Sequence, residues 1–325
     1  MSYPLNPAAS GTSLSPTVVA AIEDLELSAR LVVEGMRTGG NRSPFHGYST
    51  EFRQHRSYRA GDDLKYLDWK LFARSDRLYT RQYRDTTNVP VMLVLDASAS
   101  MDFAETGGAA SRGDAAGGVT KFRYSTIIAA ALAYVACDQG NAVGLLAMSG
   151  DGMKYLPARG GTQHLRTVIA TIDQLRPAGR WEPGRAIDRA AQLMRRRGIV
   201  IVISDMYDDE EQASGALRRL ARHGHDVSVL QLLAADECRL AQQGQVEFVD
   251  AESGERRLGD STAIAGRFGD AMRDFVSRCR AAAVRAGIDH ALIMTDQSPP
   301  RALRDYLQRR GARRVAGHSH RPMAR

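Results

Sequence analysis

Three short apolar segments recur along this 325-residue chain, and each is followed by a stretch with helical periodicity. They cover residues 91–95, 199–204 and 227–233 and are rich in β-branched side chains. Buried strands that alternate with helices are typical of a parallel sheet covered on both faces. Two further candidates, 141–148 and 289–294, bring the predicted sheet to about five or six strands. The pattern predicts an α/β fold with a doubly wound, mostly parallel sheet.

The predicted helices lie between and after these strands, at 121–138, 163–175, 184–197, 212–224 and 261–286. The chain is then divided into an N-terminal helix and partly disordered linker, a flap, the α/β domain and a C-terminal helix with a basic tail. In that order, these parts cover residues 1–44, 45–87, 88–297 and 298–325. A small β-hairpin insertion is predicted at about 245–258.

The net charge of +7 is concentrated at the C-terminus. Residues 301–325 contain eight arginines and one acid, Asp305, so the rest of the chain is neutral. The amino-terminal residues do not resemble a secretory signal, and no apolar stretch approaches the roughly 18 residues that a membrane span needs. We therefore expect a cytoplasmic protein with no transmembrane segment.

Polar side chains follow two of the predicted strands. Asp96, Ser98 and Ser100 are alternate residues after the first strand, and Asp205 follows the second. Alternation in an extended segment directs side chains to the same side. Either aspartate alone would be an ordinary cap or turn residue, but the pair favours a metal site. Carboxylate and hydroxyl oxygens suit Mg²⁺ (or Mn²⁺) and are poorly suited to zinc.

These residues and a second set of motifs upstream resemble known families. Asp96-x-Ser98-x-Ser100 together with Asp205 resembles the metal-ion-dependent adhesion site of von Willebrand factor A domains. The upstream motifs resemble those of the family known as domain of unknown function 58. They are Glu51-Phe52, Arg56-x-Tyr58-x-x-Gly61-Asp62-Asp63, Asp68-Trp69-Lys70 and Ala73-Arg74. The resemblance extends through Phe248-x-Asp250-x-Glu252 and covers about residues 45–310.

The resemblance implies a von Willebrand factor A-like body that coordinates a metal and binds protein partners. It also implies that the chain acts with a MoxR-type AAA+ ATPase in assembling or remodelling other complexes, whose client protein the sequence does not name. The adhesion site normally takes a further ligand from a threonine in a Gly-Thr loop. The matching stretch, 179–184, contains no threonine, so Glu182 or Thr162 is the candidate for that position.

The flap carries nine basic and five acidic residues between positions 47 and 84, with aromatic side chains interleaved. Such a segment could stack nucleic-acid bases, but we favour an ion-paired flap that its aromatic residues anchor on the α/β body. Its candidate partner-binding residues are Arg56, Tyr58, Asp62, Asp63, Trp69, Lys70 and Arg74.

No motif for autonomous catalysis is present. The sequence lacks GxxxxGK[ST], GxSxG and HExxH motifs, and no GxGxxG turn follows a strand. We expect a non-enzymatic interaction module. One alternative is a metal-dependent phosphatase or hydrolase with Asp96 as nucleophile. The phosphatases that begin in this way need a second carboxylate two residues on, where this chain has Ser98.

A second alternative is nucleic-acid binding through the basic tail. Arg309-Arg310 and Arg313-Arg314 could contact phosphates. The spacing of leucines around them instead favours an amphipathic helix whose arginines face solvent, because basic runs at a terminus are usually solvated. Nucleic acid is therefore the less favoured partner.

Overall fold

The computed structural model describes residues 15–37, 50–58, 67–85, 89–104, 119–150, 152–207, 210–240 and 244–318. Its strands are, in chain order, β1 Thr50–Ser57, β2 Tyr79–Asp85, β3 Pro90–Ala97, β4 Ala142–Ser149, β5 Gly152–Arg159, β6 Ile199–Ser204, β7 Asp226–Leu233, β8 Gln245–Val249, β9 Arg256–Asp260 and β10 Asp289–Met294. Its helices are α1 Pro16–Ala20, α2 Leu25–Arg37, α3 Trp69–Ser75, α4 Lys121–Asp138, α5 Thr162–Asp173, α6 Pro183–Leu193, α7 Glu210–Arg222, α8 Ala235–Cys238, α9 Ser261–Arg285 and α10 Pro299–His318.

Six of the strands form the central sheet, in the order β10-β7-β6-β3-β4-β5. All neighbouring strands are parallel except β5, which is antiparallel to β4 at one edge. The predicted doubly wound, mostly parallel sheet is confirmed. β5 was not predicted, because its residues are only partly buried and include Pro157, which weakens the strand pattern but is tolerated at a sheet edge.

Two apolar layers cover the sheet, and β3 contributes to both. Val91, Leu93 and Leu95 face the layer built by α2, α4, α5 and α10. Met92 and Val94 face the layer built by α6, α7 and α9. This alternation is the period-2 geometry of a strand that is buried on both sides.

Helix α4 is buried on almost every side, from Tyr124 to Ala136. A helix that is apolar all round must be covered all round, and α2 provides the cover on its outer face through Ala29, Val32 and Val33. The N-terminal helix predicted within residues 1–44 therefore packs in the same core as the sheet.

The two small antiparallel sheets lie outside the central one. β8 and β9 form the predicted hairpin insertion. β1 and β2 pair around α3 in the predicted flap, where the side-chain oxygen Oδ1 of Asp68 accepts a hydrogen bond from Leu71 N at 3.0 Å and caps α3. Trp69 is 60% exposed, so the expectation that the aromatic residues of the flap anchor it on the body does not hold for this residue.

The C-terminal helix differs from its prediction at Arg310. This side chain is 1% exposed, and its guanidinium lies 2.7 Å from Asp226 Oδ2 and 2.5 Å from Ser228 Oγ. The expectation that the arginines of α10 face solvent is therefore wrong for Arg310. In the part of the chain that the structure describes, no helix is both long enough and apolar enough to cross a membrane.

Candidate metal centre

The predicted metal-site residues come together at the carboxyl edge of the sheet, where β3 and β6 end side by side. Asp96 is buried, and its two carboxylate oxygens accept separate hydrogen bonds. Oδ1 accepts from Ser98 N at 2.9 Å, and Oδ2 accepts from the Ser204 hydroxyl at 2.6 Å. Ser204 was not predicted as part of the site, although it stands directly before Asp205 at the end of its strand.

The hydroxyl oxygens of Ser98 and Ser100 lie 3.0 Å apart. Ser98 is buried and Ser100 is partly exposed, so the pair reaches from the interior towards solvent. The prediction that alternate residues after β3 present their side chains on one side is confirmed for these two serines.

The fourth predicted ligand, Asp205, is held by a lysine. Lys121 Nζ lies 2.7 Å from Asp205 Oδ2 and 2.6 Å from Glu237 Oε1. The Lys121 side chain is 0% exposed and the Asp205 side chain 1%. The site therefore contains a buried ammonium group and a third carboxylate, neither of which the sequence analysis identified.

Lys121 is the first residue of α4, directly after the N-cap Thr120. A positive charge at a helix N-terminus opposes the helix dipole, which favours anions there. An isolated lysine before a long apolar helix was therefore a signal that acidic partners are near. Glu237 carried a weaker signal, since it stands at the third position of α8 and accepts a hydrogen bond from Ala234 N at 2.9 Å, as in a capping box.

Burial and repulsion from Asp205 raise the pKa of Asp96 to about 7, although hydrogen bonds from Ser204 and Ser98 act in the opposite direction. Burial alone would lower the pKa of Lys121, but attraction to Asp205 and Glu237 outweighs it and the pKa is raised. Burial also raises the pKa of Glu237, and Lys121 opposes that shift. The ammonium group of Lys121 thus pairs with Asp205 and Glu237, and Asp96 is an unfavourable place for negative charge.

The backbone around Asp205 is fixed by further hydrogen bonds. Asp205 Oδ1 accepts from Tyr207 N at 3.0 Å, and the Asp205 carbonyl accepts from Gln231 Nε2 at 3.1 Å. Gln231 Oε1 lies 3.0 Å from His290 Nε2, which links β10 to the site. Met206 has a φ of 63°, a conformation that is strained for a non-glycine residue and marks the sharp turn after β6.

The loop that replaces the Gly-Thr loop of adhesion sites packs directly on the segment that carries the serines. Ala99 N donates to the Gly179 carbonyl at 3.0 Å, and Ala178 N donates to the Ala97 carbonyl at 2.9 Å. Gly179 has a φ of 69°, and a Cβ atom there would lie 2.5 Å from Gly150 Cα. Only glycine allows these two backbone segments to approach so closely.

The same loop contacts the hairpin insertion. Glu252, in the turn between β8 and β9, accepts from Trp181 N and from Arg180 Nε, both at 3.4 Å. Trp181 itself is 1% exposed and packs beneath the loop. The motif Phe248-x-Asp250-x-Glu252 is thus connected to the site, with Asp250 shaping the turn through bonds from two backbone amides.

The two candidates for the missing threonine ligand lie in different places. Glu182 is at the N-cap of α6, where its half-exposed carboxylate pairs with Arg185 at 3.4 Å. Thr162 begins α5, which is attached near the amino end of β4 through a 2.9 Å bond between His164 Nε2 and the Val143 carbonyl. Thr162 therefore lies near the amino ends of the parallel strands, whereas Asp96 lies at their carboxyl ends. The expectation that Thr162 could complete the site is wrong.

The partner-binding candidates in the flap are described only in part. Arg56 and Tyr58 are partly buried, whereas Trp69 and Arg74 are exposed. Asp62, Asp63 and the side chain of Lys70 lie outside the described residues. These residues remain predictions as a partner surface.

The serine pair fits a hard divalent cation. Two neighbouring ligands of an octahedral Mg²⁺ at about 2.1 Å stand about 3.0 Å apart, which matches the separation of the Ser98 and Ser100 hydroxyls. Within the described ranges, no group of three or more His, Cys, Asp or Glu side chains is arranged to hold a metal. A metal bound there would take its oxygen ligands from the two hydroxyls, with Asp96 and Asp205 beside them.

The sheet order and the polar cluster at its carboxyl edge define a von Willebrand factor A-like α/β protein. The chain belongs to the family described as "Protein of unknown function DUF58", whose model matches residues 54–275. The family predicted from the sequence motifs is confirmed.

Two mycobacterial relatives are similar over most of their length. "Uncharacterized protein Rv1480" of Mycobacterium tuberculosis (strain ATCC 25618 / H37Rv) is 32% identical over 242 residues, which cover 74% of this chain and 72% of the relative. "Uncharacterized protein Mb1516" of Mycobacterium bovis has the same identity and coverage.

Solved structures with a similar arrangement are more distant. "Conserved hypothetical protein BatB" from Bacteroides thetaiotaomicron is 16% identical with a TM-score of 0.44, and the match covers 69% of this chain and 99% of that one. The SpRpn10 VWA domain is 14% identical with a TM-score of 0.37, and the match covers 68% and 94%.

Proposed function

We propose that this chain is a non-enzymatic protein-interaction module whose hold on a partner depends on a divalent cation, Mg²⁺ or Mn²⁺, at the carboxyl edge of the sheet. The observation that carries the proposal is the pair of hydroxyls of Ser98 and Ser100, 3.0 Å apart and beside the buried Asp96. When bound, the cation would supply an open coordination position for an acidic side chain of a partner.

The charges of the site support a cation. Lys121 offsets only one of the carboxylates Asp96, Asp205 and Glu237, all of which are largely removed from solvent. A buried negative charge without a counter-ion is costly. A divalent ion near Ser98 would balance the remaining charge and relieve the unfavourable ionisation of Asp96.

The environment of Asp96 disfavours the hydrolase alternative. Its side chain is buried, and both oxygens already accept hydrogen bonds, from Ser98 N and Ser204 Oγ. A carboxylate nucleophile must reach a substrate atom at the surface of the site. Asp96 is better placed to orient Ser98 than to attack.

The partner we propose is a MoxR-type AAA+ ATPase, together with a client protein that the pair assembles or remodels. Membership of the family supports this part of the proposal. The ATPase or the client would place its acidic residue at the open coordination position of the cation.

The test is affinity capture from native lysate with the tagged chain, in buffer with Mg²⁺ and in buffer with EDTA. The bait is the wild type, Asp96→Ala or Asp270→Asn, the last being an exposed acid on α9 that serves as a matched control. We expect the wild type and Asp270→Asn to retain a MoxR-type ATPase only with Mg²⁺, and Asp96→Ala to lose it in both buffers. Retention of the same partners in all of these samples would contradict the metal-dependent mechanism.

A further inference from the structure

The ammonium group of Lys121 is built into the site. Its side chain is 0% exposed, and Nζ makes two close ion pairs, at 2.7 Å to Asp205 and 2.6 Å to Glu237. The rings of Tyr207 and Phe103 lie 4.9 Å and 6.0 Å from Nζ, so aromatic faces flank the charge. A lysine held from several sides in this way is a fixed structural cation.

This arrangement engages both oxygens of Asp205. Oδ2 accepts from Lys121, and Oδ1 accepts from Tyr207 N at 3.0 Å. Asp205 therefore already binds the ammonium group of Lys121. In the adhesion-site pattern, the aspartate at this position assists a divalent ion. A metal that binds Asp205 must therefore compete with the ammonium group for this carboxylate.

We infer that Lys121 is a resident cation that competes with Mg²⁺ or Mn²⁺ for Asp205 and so lowers the affinity of the site for the metal. The inference rests on the proposed function, because it concerns the same metal centre. Glu237 is the residue that keeps Lys121 in place, since it binds the ammonium from the other side and is itself fixed to Ala234 N. A site of this kind fills only when the divalent ion outcompetes a lysine, which makes partner binding conditional on metal concentration.

The decisive variant is Lys121→Met/Glu237→Gln. It removes one positive and one negative charge, so the net charge of the cluster is unchanged. What changes is that Asp205 no longer pairs with an ammonium group. The experiment titrates Mn²⁺ into the purified full-length chain and measures the unbound ion by electron paramagnetic resonance. We expect the double variant to bind Mn²⁺ about tenfold more tightly than the wild type.

Two further variants separate the effect of Asp205 on Mn²⁺ affinity from effects of the other substitutions. Adding Asp205→Asn to the double variant is expected to abolish the gain relative to Asp205→Asn alone. The control Lys154→Met/Glu247→Gln removes one exposed charge of each sign from β5 and β8 and is expected to bind like the wild type.

A second measurement uses the wild type and needs no folded variant. An amine-acylating reagent is applied with and without saturating Mn²⁺, and modified lysines are quantified by mass spectrometry. We expect the reactivity of Lys121 to rise with Mn²⁺ as the ammonium leaves Asp205, whereas the exposed Lys154 serves as the unchanged reference.

The outcomes distinguish this inference from the proposed function. Equal Mn²⁺ affinity of the wild type and the double variant, or a Lys121 reactivity that saturating Mn²⁺ leaves unchanged, overturns the inference and leaves the metal-dependent function standing. Binding by the double variant alone supports the inference and contradicts metal dependence in the natural chain. Absence of Mn²⁺ binding in both proteins overturns both.

Discussion

Lys121 and Asp205, which are 84 positions apart in the chain, form a buried ion pair 2.7 Å long at the end of the central sheet. Lys121 begins α4, and Asp205 follows β6, so the pair joins the most buried helix to the edge where the candidate ligands meet. The pair therefore affects both the stability of the fold and the chemistry of the site.

Replacement of Lys121 by methionine should destabilise the protein by about 3–5 kcal/mol, because Asp205 and Glu237 would be left buried without a counter-ion. Lys121→Met/Glu237→Gln should recover part of this loss, since it leaves one carboxylate fewer. Urea denaturation measures the free energy of unfolding. The exposed control Lys154→Met should stay within about 0.5 kcal/mol of the wild type. A Lys121→Met protein as stable as this control would show that the buried pair contributes little.

His290 should make the protein less stable at pH 5 than at neutral pH, whereas Asp96, whose pKa is raised to about 7, acts in the opposite direction. Burial, with Arg280 and Arg309 nearby, lowers the pKa of His290 from 6.5 to about 4. In that pH range the unfolded chain binds the proton more readily than the folded one, so the contribution is present above pH 6.5 and is lost as the pH falls towards 4.

His290 should contribute a loss of about 1–2 kcal/mol between pH 7 and pH 5. Urea denaturation of the wild type and of His290→Gln at the two pH values measures this contribution as the difference between the two proteins, and the glutamine keeps a polar partner for Gln231. If the variant and the wild type lose the same stability, His290 does not titrate as its burial indicates.

Arg310 should behave as a core residue despite its place in a basic helix. Arg310→Ala would remove the ion pair with Asp226 and the hydrogen bond to Ser228. The expected cost is about 2–3 kcal/mol, which is low for a buried pair because Asp226 is 38% exposed. The adjacent, exposed Arg309→Ala is the matched control and should change stability by less than about 0.5 kcal/mol. Thermal or urea unfolding separates the two. An equal loss of stability in both variants would contradict the assignment of Arg310 to the core.

The fold was largely predictable because its signal is local. The segment 199–204 is apolar up to its last residue and forms β6 with the predicted bounds. The end of that strand correctly placed Asp205 at the carboxyl edge. β5 escaped prediction since an edge strand is only half-buried and has no continuous apolar run.

The site was predictable where the local sequence marks its residues, because Asp205 directly follows a predicted strand and the other three residues stand close together. Asp96, Ser98 and Ser100 share one segment, and their spacing alone groups them. Lys121 and Glu237 reach the site from distant elements, and their local sequence does not predict that they pair with each other. Arg310 was misjudged for the same reason, because its partner Asp226 comes from another part of the chain.

The central claim is that the hydroxyls of Ser98 and Ser100 hold a divalent cation. Its most direct test is Mn²⁺ titration of the purified full-length chain, followed by electron paramagnetic resonance, with Ser98→Ala/Ser100→Ala as the comparison and a circular dichroism spectrum to verify that the variant is folded. We predict one bound Mn²⁺ per wild-type chain, displaced by excess Mg²⁺, and loss of that binding in the folded variant. Equal Mn²⁺ binding by the two proteins, or none by the wild type, would contradict the account.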